Sequence, residues 1–117
     1  MPTLTGSRDV APGPNHVVFT SDLPLRTRRH AVSFLRDAFA IRRVLDATLR
    51  DPAGGLIRYE LRAHPLANRY STESVWDSQV SLRRFASHPV HAEIMRRQAR
   101  HLGAATFSVQ PLPPVDP

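Results

Sequence analysis

The stretch Asn68–Arg97, NRYSTESVWDSQVSLRRFASHPVHAEIMRR, decides the fold of this chain. Its first part, which ends in Trp76, is typical of a β-strand. Asp77 or Ser78 can accept an N-cap hydrogen bond, so a short helix is predicted to begin there. Pro89 suits the first turn of a further helix, because its missing N–H is not needed at that position. The stretch therefore predicts a strand followed by two successive helices.

The elements on either side continue an alternating pattern. β-Branched and aromatic residues predict strands at His16–Thr20, Leu56–Ala63 and Ala105–Gln110. Residues 29–50 are predicted to form a helix, because their apolar positions recur at intervals of three and four. These positions are Ala31, Phe34, Leu35, Ala38, Ile41, Leu45 and Leu49. The order β-α-β-β-α-β predicts an α+β, ferredoxin-like fold with a four-stranded antiparallel sheet and helices on one face.

The length of 117 residues predicts a single folded domain with short ends. Residues 1–14 contain three prolines and two glycines without a hydrophobic period, so we expect a flexible tail. Residues 15–110 would form the ferredoxin-like domain. Proline dominates residues 111–117, and we expect them to form an extended C-terminal tail.

Composition narrows the range of partners. The 16 basic side chains are all arginine, but they are spread along the chain without interleaved aromatic residues, so no nucleic-acid partner is expected. No apolar run reaches the roughly 20 residues of a membrane span, and the N-terminus lacks the apolar centre of a secretory signal. The absence of cysteine excludes disulfides and thiolate chemistry and favours a cytoplasmic location.

The hairpin between the second and third strands predicts two unlike sheet faces. A turn at residues 64–67 places Tyr59 opposite Thr72, and Arg58 opposite Glu73. The face that packs on the helices then holds Ile57, Tyr59, Leu61, Tyr70, Thr72, Ser74 and Trp76. The other face holds Arg58, Glu60, Arg62, Arg69, Ser71 and Glu73. This charged face is either solvated, with cross-strand ion pairs, or part of a dimer interface.

The order of residues in the opening stretch resembles a known family. Small ferredoxin-like proteins of the antibiotic-biosynthesis-monooxygenase type pair as dimeric α/β barrels. They often show an S-V-W-like strand end, an acidic residue, an F-A-like helical step and P-x-H-A-x-x-M-R. The matching residues are Ser74, Val75, Trp76, Asp77, Phe85, Ala86, Pro89, His91, Ala92, Met95 and Arg96. The resemblance implies a homodimer formed through the sheets and a ligand pocket between sheet and helices.

The resemblance also implies a chemistry. In the cofactor-free, quinone-forming monooxygenases of this family, an Asn and a Trp on one strand and an Arg on the following helix are implicated. An electron-rich phenolic substrate itself activates oxygen there, without cofactor or metal. Trp76 and Arg96 stand at the matching places, whereas the Asn is replaced by Thr72, which cannot supply an amide's paired donor and acceptor. Haem-degrading activity is not implied, because Met95 and Phe85 hold the places of its His and Trp.

His91 is a further candidate, argued from its own position. It precedes Ile94 and Met95 by three and four residues and is therefore predicted to face inward. An inward histidine is either a structural hydrogen-bonding group or a general base near neutral pH. We expect a neutral imidazole at pH 7, because burial and the helix dipole both disfavour the charged form. His88 and His91 lack a suitably spaced carboxylate, so no zinc site is predicted.

Taken with these residues, the resemblance implies a cofactor-independent monooxygenase that acts on a hydrophobic, aromatic, polyketide-like molecule in secondary metabolism. The candidate catalytic residues are His91, Trp76 and Arg96. The candidate substrate-binding residues are Tyr59, Tyr70, Thr72, Ser74, Phe85 and Met95. Two alternatives stay open: a non-catalytic member of the same fold that binds a ligand or partner, and a cofactor-free cyclase or isomerase that uses the same histidine.

Overall fold

The computed structural model describes residues 3–7 and 15–111 of the chain. The strands are β1 (Thr3–Ser7), β2 (Val17–Pro24), β3 (Leu56–His64), β4 (Arg69–Trp76) and β5 (Thr106–Pro111), and the helices are α1 (Ala31–Arg50), α2 (Gln79–Ala86) and α3 (Pro89–Gln98). From β2 onward the order is β-α-β-β-α-β, with the second helix divided into α2 and α3. The predicted α+β, ferredoxin-like fold class is therefore confirmed.

The sheet has one strand more than the sequence predicted. Its five antiparallel strands follow the order β1-β3-β4-β2-β5. The additional strand β1 pairs with β3, with Thr3 opposite Arg62 and Ser7 opposite Arg58. The prediction of a flexible tail over residues 1–14 is therefore wrong for these five residues. The rest of that segment, and residues 112–117 of the predicted C-terminal tail, lie outside the described residues.

The division between α2 and α3 follows from local capping. The Ser78 hydroxyl oxygen accepts a hydrogen bond from the Ser81 backbone N–H at 3.2 Å, so Ser78 is the N-cap of α2. His88 Nδ1 accepts a hydrogen bond from the Val90 N–H at 3.2 Å, and Pro89 occupies the first turn of α3. Both helix starts therefore lie where the sequence predicted them.

The core lies between one face of the sheet and the helices, and it has two apolar clusters. The first consists of Leu23, Leu25, Phe34, Tyr70 and Leu102. The second consists of Leu45, Leu56, Tyr59, Trp76 and Leu82. Both clusters combine sheet residues with helix residues, because the apolar stripe of α1 has to be buried against the sheet. In the described part of the chain, no helix is long and apolar enough to cross a membrane.

The β3–β4 hairpin keeps the predicted sheet faces but has a different register. Tyr59 lies opposite Ser74 and Leu61 lies opposite Thr72, so each pairing differs from the predicted one by two residues. The last pair before the turn is His64 with Arg69, whereas the prediction implied Ala63 with Asn68. Asn68 lies in the turn instead, with a φ of 52°. Because side chains alternate with a period of two, a shift of two residues leaves the side chains of β3 from Arg58 onward on their predicted faces.

A β-bulge at the start of β3 changes one core assignment. The register shifts between Leu56 and Arg58, so one extra residue is accommodated there. As a result Leu56, rather than the predicted Ile57, joins the cluster around Tyr59 and Trp76. Ile57 is buried as predicted, but it lies outside this cluster, because the bulge interrupts the strict alternation that the prediction assumed.

The opposite face of the sheet carries ion pairs. They are Arg58–Glu73 at 3.8 Å, Arg62–Glu60 at 2.7 Å and Arg69–Asp22 at 3.3 Å. The side chains of Arg58 and Glu73 are 56% and 40% exposed on the single chain. At this exposure each pair contributes little to the stability of the fold. We refer to Asp22, Arg58, Glu60, Arg62, Arg69 and Glu73 as the charged face.

Candidate functional site

Two adjoining cavities lie between the helices and the sheet. The His91 cavity has a volume of about 350 Å³, and its wall includes Phe19, Tyr59, Ser74, Leu82, Phe85 and His91. The Gln98 cavity has a volume of about 170 Å³, and its wall includes Phe34, Asp37, Tyr70, Ile94, Gln98 and Leu102. The two cavities share Leu23, Ile41, Leu61, Thr72 and Met95. Their walls are mainly apolar, which is the character of small-molecule sites.

His91 is the titratable imidazole in the wall of the larger cavity. It is half-buried, and its ring packs on Phe85 with the ring centroids 4.9 Å apart. Its Nδ1 lies 3.1 Å from the Ala86 carbonyl oxygen. Because a carbonyl can only accept, this contact assigns the proton to Nδ1 and leaves the lone pair of Nε2 available. The ring is therefore held in the tautomer that a general base requires.

The surroundings of His91 keep it neutral. Burial lowers its pKa below the usual value of 6.5, and the nearby His88 also lowers it. The hydrogen bond to Ala86 acts in the opposite direction but does not outweigh them. A lowered pKa agrees with the predicted neutral imidazole at pH 7.

The two tyrosines predicted to bind substrate lie in different cavities. Tyr59 is in the wall of the His91 cavity, and its hydroxyl donates a hydrogen bond to Asp46 at 2.5 Å. Burial and this bond raise the pKa of Tyr59. Tyr70 is in the wall of the Gln98 cavity, where it packs on Phe34 with the ring centroids 4.5 Å apart. Burial raises the pKa of Tyr70 as well, so both phenols are neutral at pH 7.

The remaining candidate substrate-binding residues are all in the wall of the His91 cavity. These residues are Thr72, Ser74, Phe85 and Met95. The Thr72 hydroxyl lies 2.5 Å from the Ser21 hydroxyl on the neighbouring strand. The Ser74 hydroxyl oxygen accepts a hydrogen bond from the Trp76 indole at 2.8 Å. Both hydroxyl groups therefore already have protein partners.

The structure does not bring the other two candidate catalytic residues into either cavity wall. Trp76 is 0% exposed, and its ring packs on Phe85 at 5.2 Å between centroids. Its indole N–H is occupied by Ser74, so the observed role of Trp76 is core packing. The Arg96 side chain is 77% exposed and forms an ion pair with Glu93 on the same helix.

A buried polar network was missed by the sequence reasoning. Asp37, on α1, accepts hydrogen bonds from Arg97 at 2.6 and 3.1 Å and from Gln98 Nε2 at 2.6 Å. Burial alone would raise the pKa of Asp37, but the bonds from Arg97 and Gln98 outweigh it and hold that pKa below its usual value. Asp37 lies three residues after Phe34 and four before Ile41, so a polar residue inside the apolar stripe was the available signal.

The sequence itself matches no protein-family model, and it matches no curated protein. A candidate monooxygenase from Fusobacterium nucleatum aligns with 92% of this chain at 9% identity and a TM-score of 0.74, but this chain spans only 50% of that protein's length. A candidate antibiotic biosynthesis monooxygenase from Caulobacter crescentus aligns over 86% of this chain and 92% of its own length, at 14% identity and a TM-score of 0.71. SnoaB, a cofactor-independent oxygenase from Streptomyces nogalater, aligns over 88% of this chain and 98% of its own length, at 18% identity and a TM-score of 0.60.

The fold is that of the antibiotic-biosynthesis-monooxygenase type. The resemblance inferred from Trp76 and the following helices is therefore confirmed as a resemblance of fold. Identities this low carry no information on activity, because one fold can host many functions. The chemistry has to be argued from the cavity residues. Within the described residues, no three His, Cys, Asp or Glu side chains lie close enough together to hold a metal ion.

Proposed function

We propose that this protein is a cofactor-independent monooxygenase that acts on a hydrophobic, phenolic aromatic molecule. The observation that carries the proposal is His91, a neutral imidazole oriented by the Ala86 carbonyl in the wall of a largely apolar cavity of about 350 Å³. An apolar cavity of this size favours a small aromatic ligand. A neutral imidazole within it can accept a phenolic proton.

The proposed reaction begins with proton transfer. The phenolic O–H bond breaks, its proton moves to His91 Nε2, and the electron pair stays on the substrate as a phenolate. The phenolate then reduces molecular oxygen, and a new C–O bond forms at a ring carbon. His91 returns the proton to the resulting peroxide, which gives a hydroperoxide on a ring carbon that still carries a hydrogen atom. Cleavage of the O–O bond and of the C–H bond at that carbon releases one water molecule and leaves a carbonyl group, so that one oxygen atom of O2 enters the product and the other leaves as water. The protein contributes the base, the orientation of the ring and the exclusion of water.

A second function is favoured by a specific set of observations. Thr72 replaces the expected amide, Trp76 is in the core, and Arg96 is on the solvent side of α3. A protein with this arrangement could bind the same class of hydrophobic ligand without oxidising it. A cyclase or isomerase that uses His91 without oxygen is the third candidate.

Oxygen uptake separates these functions. The purified protein would be supplied with hydroxylated anthrones and naphthols in an oxygen electrode, and the products would be separated by chromatography. If the protein is a monooxygenase, oxygen uptake should rise with protein concentration and should be lost in His91→Ala. Product formation without uptake would identify the cyclase or isomerase. Ligand binding without any product would leave only the non-catalytic function.

We further propose that two copies pair through the charged face and that the protein acts in the cytoplasm, in secondary metabolism. The support for pairing is the likeness of fold to proteins that form dimeric barrels, together with a sheet face that no helix among the described residues covers. Analytical ultracentrifugation at micromolar concentration tests this directly. A single monomeric species would rule the dimer out.

A further inference from the structure

The break between α2 and α3 brings the end of one helix against a side chain of the next. α2 ends at Ala86, α3 begins at Pro89, and His91 lies in the first turn of α3. In a continuous helix, residues five or six apart point in different directions, because each residue turns about 100° around the axis. Here the helix is interrupted, and both Phe85 and Ala86 contact the His91 ring. The break therefore joins groups that a single helix would separate.

Two contacts of different kinds hold the His91 ring. The Ala86 carbonyl is at the C-terminal end of α2, where the last carbonyls have no partner within the helix, and it accepts the Nδ1–H at 3.1 Å. This bond alone does not fix the ring plane, because the angles at a carbonyl acceptor are broadly distributed. The Phe85 ring supplies the second contact, with the centroids 4.9 Å apart and the planes tilted by 56°. Consecutive residues of α2 thus restrain both one ring atom and the ring plane.

Phe85 is itself held by the core. Its ring packs on Trp76 with the centroids 5.2 Å apart and the planes tilted by 39°, a separation and tilt at which aromatic pairs attract. Trp76 is fully buried, and its indole N–H donates a hydrogen bond to Ser74 at 2.8 Å. The Phe85 ring therefore connects His91 to a fixed part of β4.

We propose that Phe85 is a positioning residue for proton transfer to His91: its ring keeps the imidazole in the orientation in which Nδ1–H meets the Ala86 carbonyl and Nε2 is the basic nitrogen. The inference rests on the proposed function, because positioning affects a rate only if His91 is the base. A base held in one orientation reacts faster than one that rotates, since misplacement of a reacting group costs rate. Phe85 thus acts on His91 even before substrate binds, besides forming part of the cavity wall.

Phe85→Leu tests the inference without requiring turnover. The change keeps an apolar side chain but removes the ring that packs on His91. Long-range ¹⁵N spectra of the ligand-free protein report the tautomer and the pKa of His91. We expect the Nδ1–H tautomer in the wild type. In Phe85→Leu we expect a mixture of tautomers and a pKa that moves back up toward 6.5, because burial is the main cause of the lowered pKa of His91.

Turnover gives a second measure of the same effect. With the anthrone or naphthol that supports oxygen uptake, kcat should fall by about 10- to 100-fold in Phe85→Leu, the usual cost of a misplaced group. Phe85→Tyr keeps the ring and should retain the Nδ1–H tautomer and most of kcat. Phe19→Leu is the matched control for the spectra, because it removes another ring from the wall of the same cavity. The Phe19 ring stacks on Phe107 rather than on His91, so His91 should keep its wild-type tautomer and pKa.

The outcomes separate positioning from packing. A Phe85→Leu protein that melts at a lower temperature but keeps the Nδ1–H tautomer and the wild-type kcat would overturn the inference. If Phe85→Leu does not fold, the wild type decides, because a mixture of His91 tautomers there would also overturn it. Oxygen uptake that depends on His91 but not on Phe85 would overturn it while leaving the proposed function intact. A tautomer lost in Phe85→Leu, with no oxygen uptake by the wild type, would instead remove the proposed function and the inference with it.

Discussion

At the scale of single residues, the chemistry open to the site depends on which polar side chains already have hydrogen-bond partners within the protein. Tyr59, Ser74 and Thr72 surround the His91 cavity, but each has a hydrogen-bond partner within the protein. His91 differs because its Nε2 is left with a lone pair, and this makes it the residue on which the proposed chemistry depends. The lowered pKa of His91 also gives a prediction for the dependence of rate on pH.

His91→Ala is expected to lower turnover by about 10²–10⁴-fold, the usual contribution of a general base. In the wild type, the decline of kcat/KM with falling pH should be centred below pH 6.5, because burial lowers the pKa of His91. Rates measured between pH 5 and 8 check both points. A decline centred above pH 6.5, or a variant with the wild-type rate and a lower melting temperature, would assign His91 a structural role.

Asp37→Asn is expected to reduce the free energy of unfolding by about 1–3 kcal/mol at pH 7, because a buried carboxylate that accepts charge-assisted bonds is replaced by an amide. The pKa of Asp37 is lower in the folded protein than its usual value of 3.8. Its contribution is therefore complete above pH 3.8 and is lost as pH falls through the folded pKa. Urea titrations of both proteins at several pH values should show the difference shrinking with acid. A constant difference down to pH 2 would contradict this account.

Trp76→Phe separates packing from catalysis. The change removes the indole N–H bond to Ser74 and leaves a void in the core. We expect a loss of about 1–3 kcal/mol in stability and an unchanged rate per folded molecule. Thermal denaturation and oxygen uptake on the same samples provide the test. A rate that falls while the melting temperature holds would return Trp76 to the candidate catalytic residues.

At the scale of elements, the sequence was informative wherever a local signal decides the structure. Ser78 and Pro89 determine where α2 and α3 begin, and the spacing of apolar residues determines the length of α1. The bulge at Leu56 and the closure of the hairpin at Asn68 were not predictable, because they depend on how the two strands fit together rather than on residue type. The strand β1 was missed because it is short, contains Gly6 and lies among prolines. The Asp37–Gln98 contact joins residues far apart in sequence, so spacing could not reveal it.

Gly6→Val is expected to displace β1 from the sheet. A Cβ atom at this position would lie 2.6 Å from Tyr59 Cε1 and 2.7 Å from Leu49 Cδ1, which is closer than atoms can approach. The side chain therefore has no space while β1 stays paired, and a cost of about 1–3 kcal/mol is expected. Amide hydrogen exchange should become faster at those amides of residues 58–62 that donate to β1, with α3 unaffected. Unchanged exchange throughout β3 would show that the strand tolerates the side chain.

At the scale of the whole molecule, the proposed dimer would pair through the charged face. Glu73→Arg would place a further positive charge beside Arg58 and leave that residue without its partner. We expect dissociation into monomers at micromolar concentration, because like charges at an interface repel. The double variant Arg58→Glu, Glu73→Arg restores opposite charges and serves as the matched control. Sedimentation velocity measures both, and a Glu73→Arg dimer as tight as the wild type would place the interface elsewhere.

The pairing of Thr3–Ser7 with β3 has a practical consequence for handling the protein. A strand whose outer N–H and C=O groups are uncovered is a template on which other chains can add, and this is a common start of aggregation. Here the five residues of β1 cover the backbone N–H and C=O groups on the outer side of β3 along residues 58–62. Removing β1, or displacing it with a larger side chain at Gly6, would leave these backbone groups of β3 free to pair with a neighbouring molecule. The shelf life of concentrated samples is thus expected to depend on Thr3–Ser7.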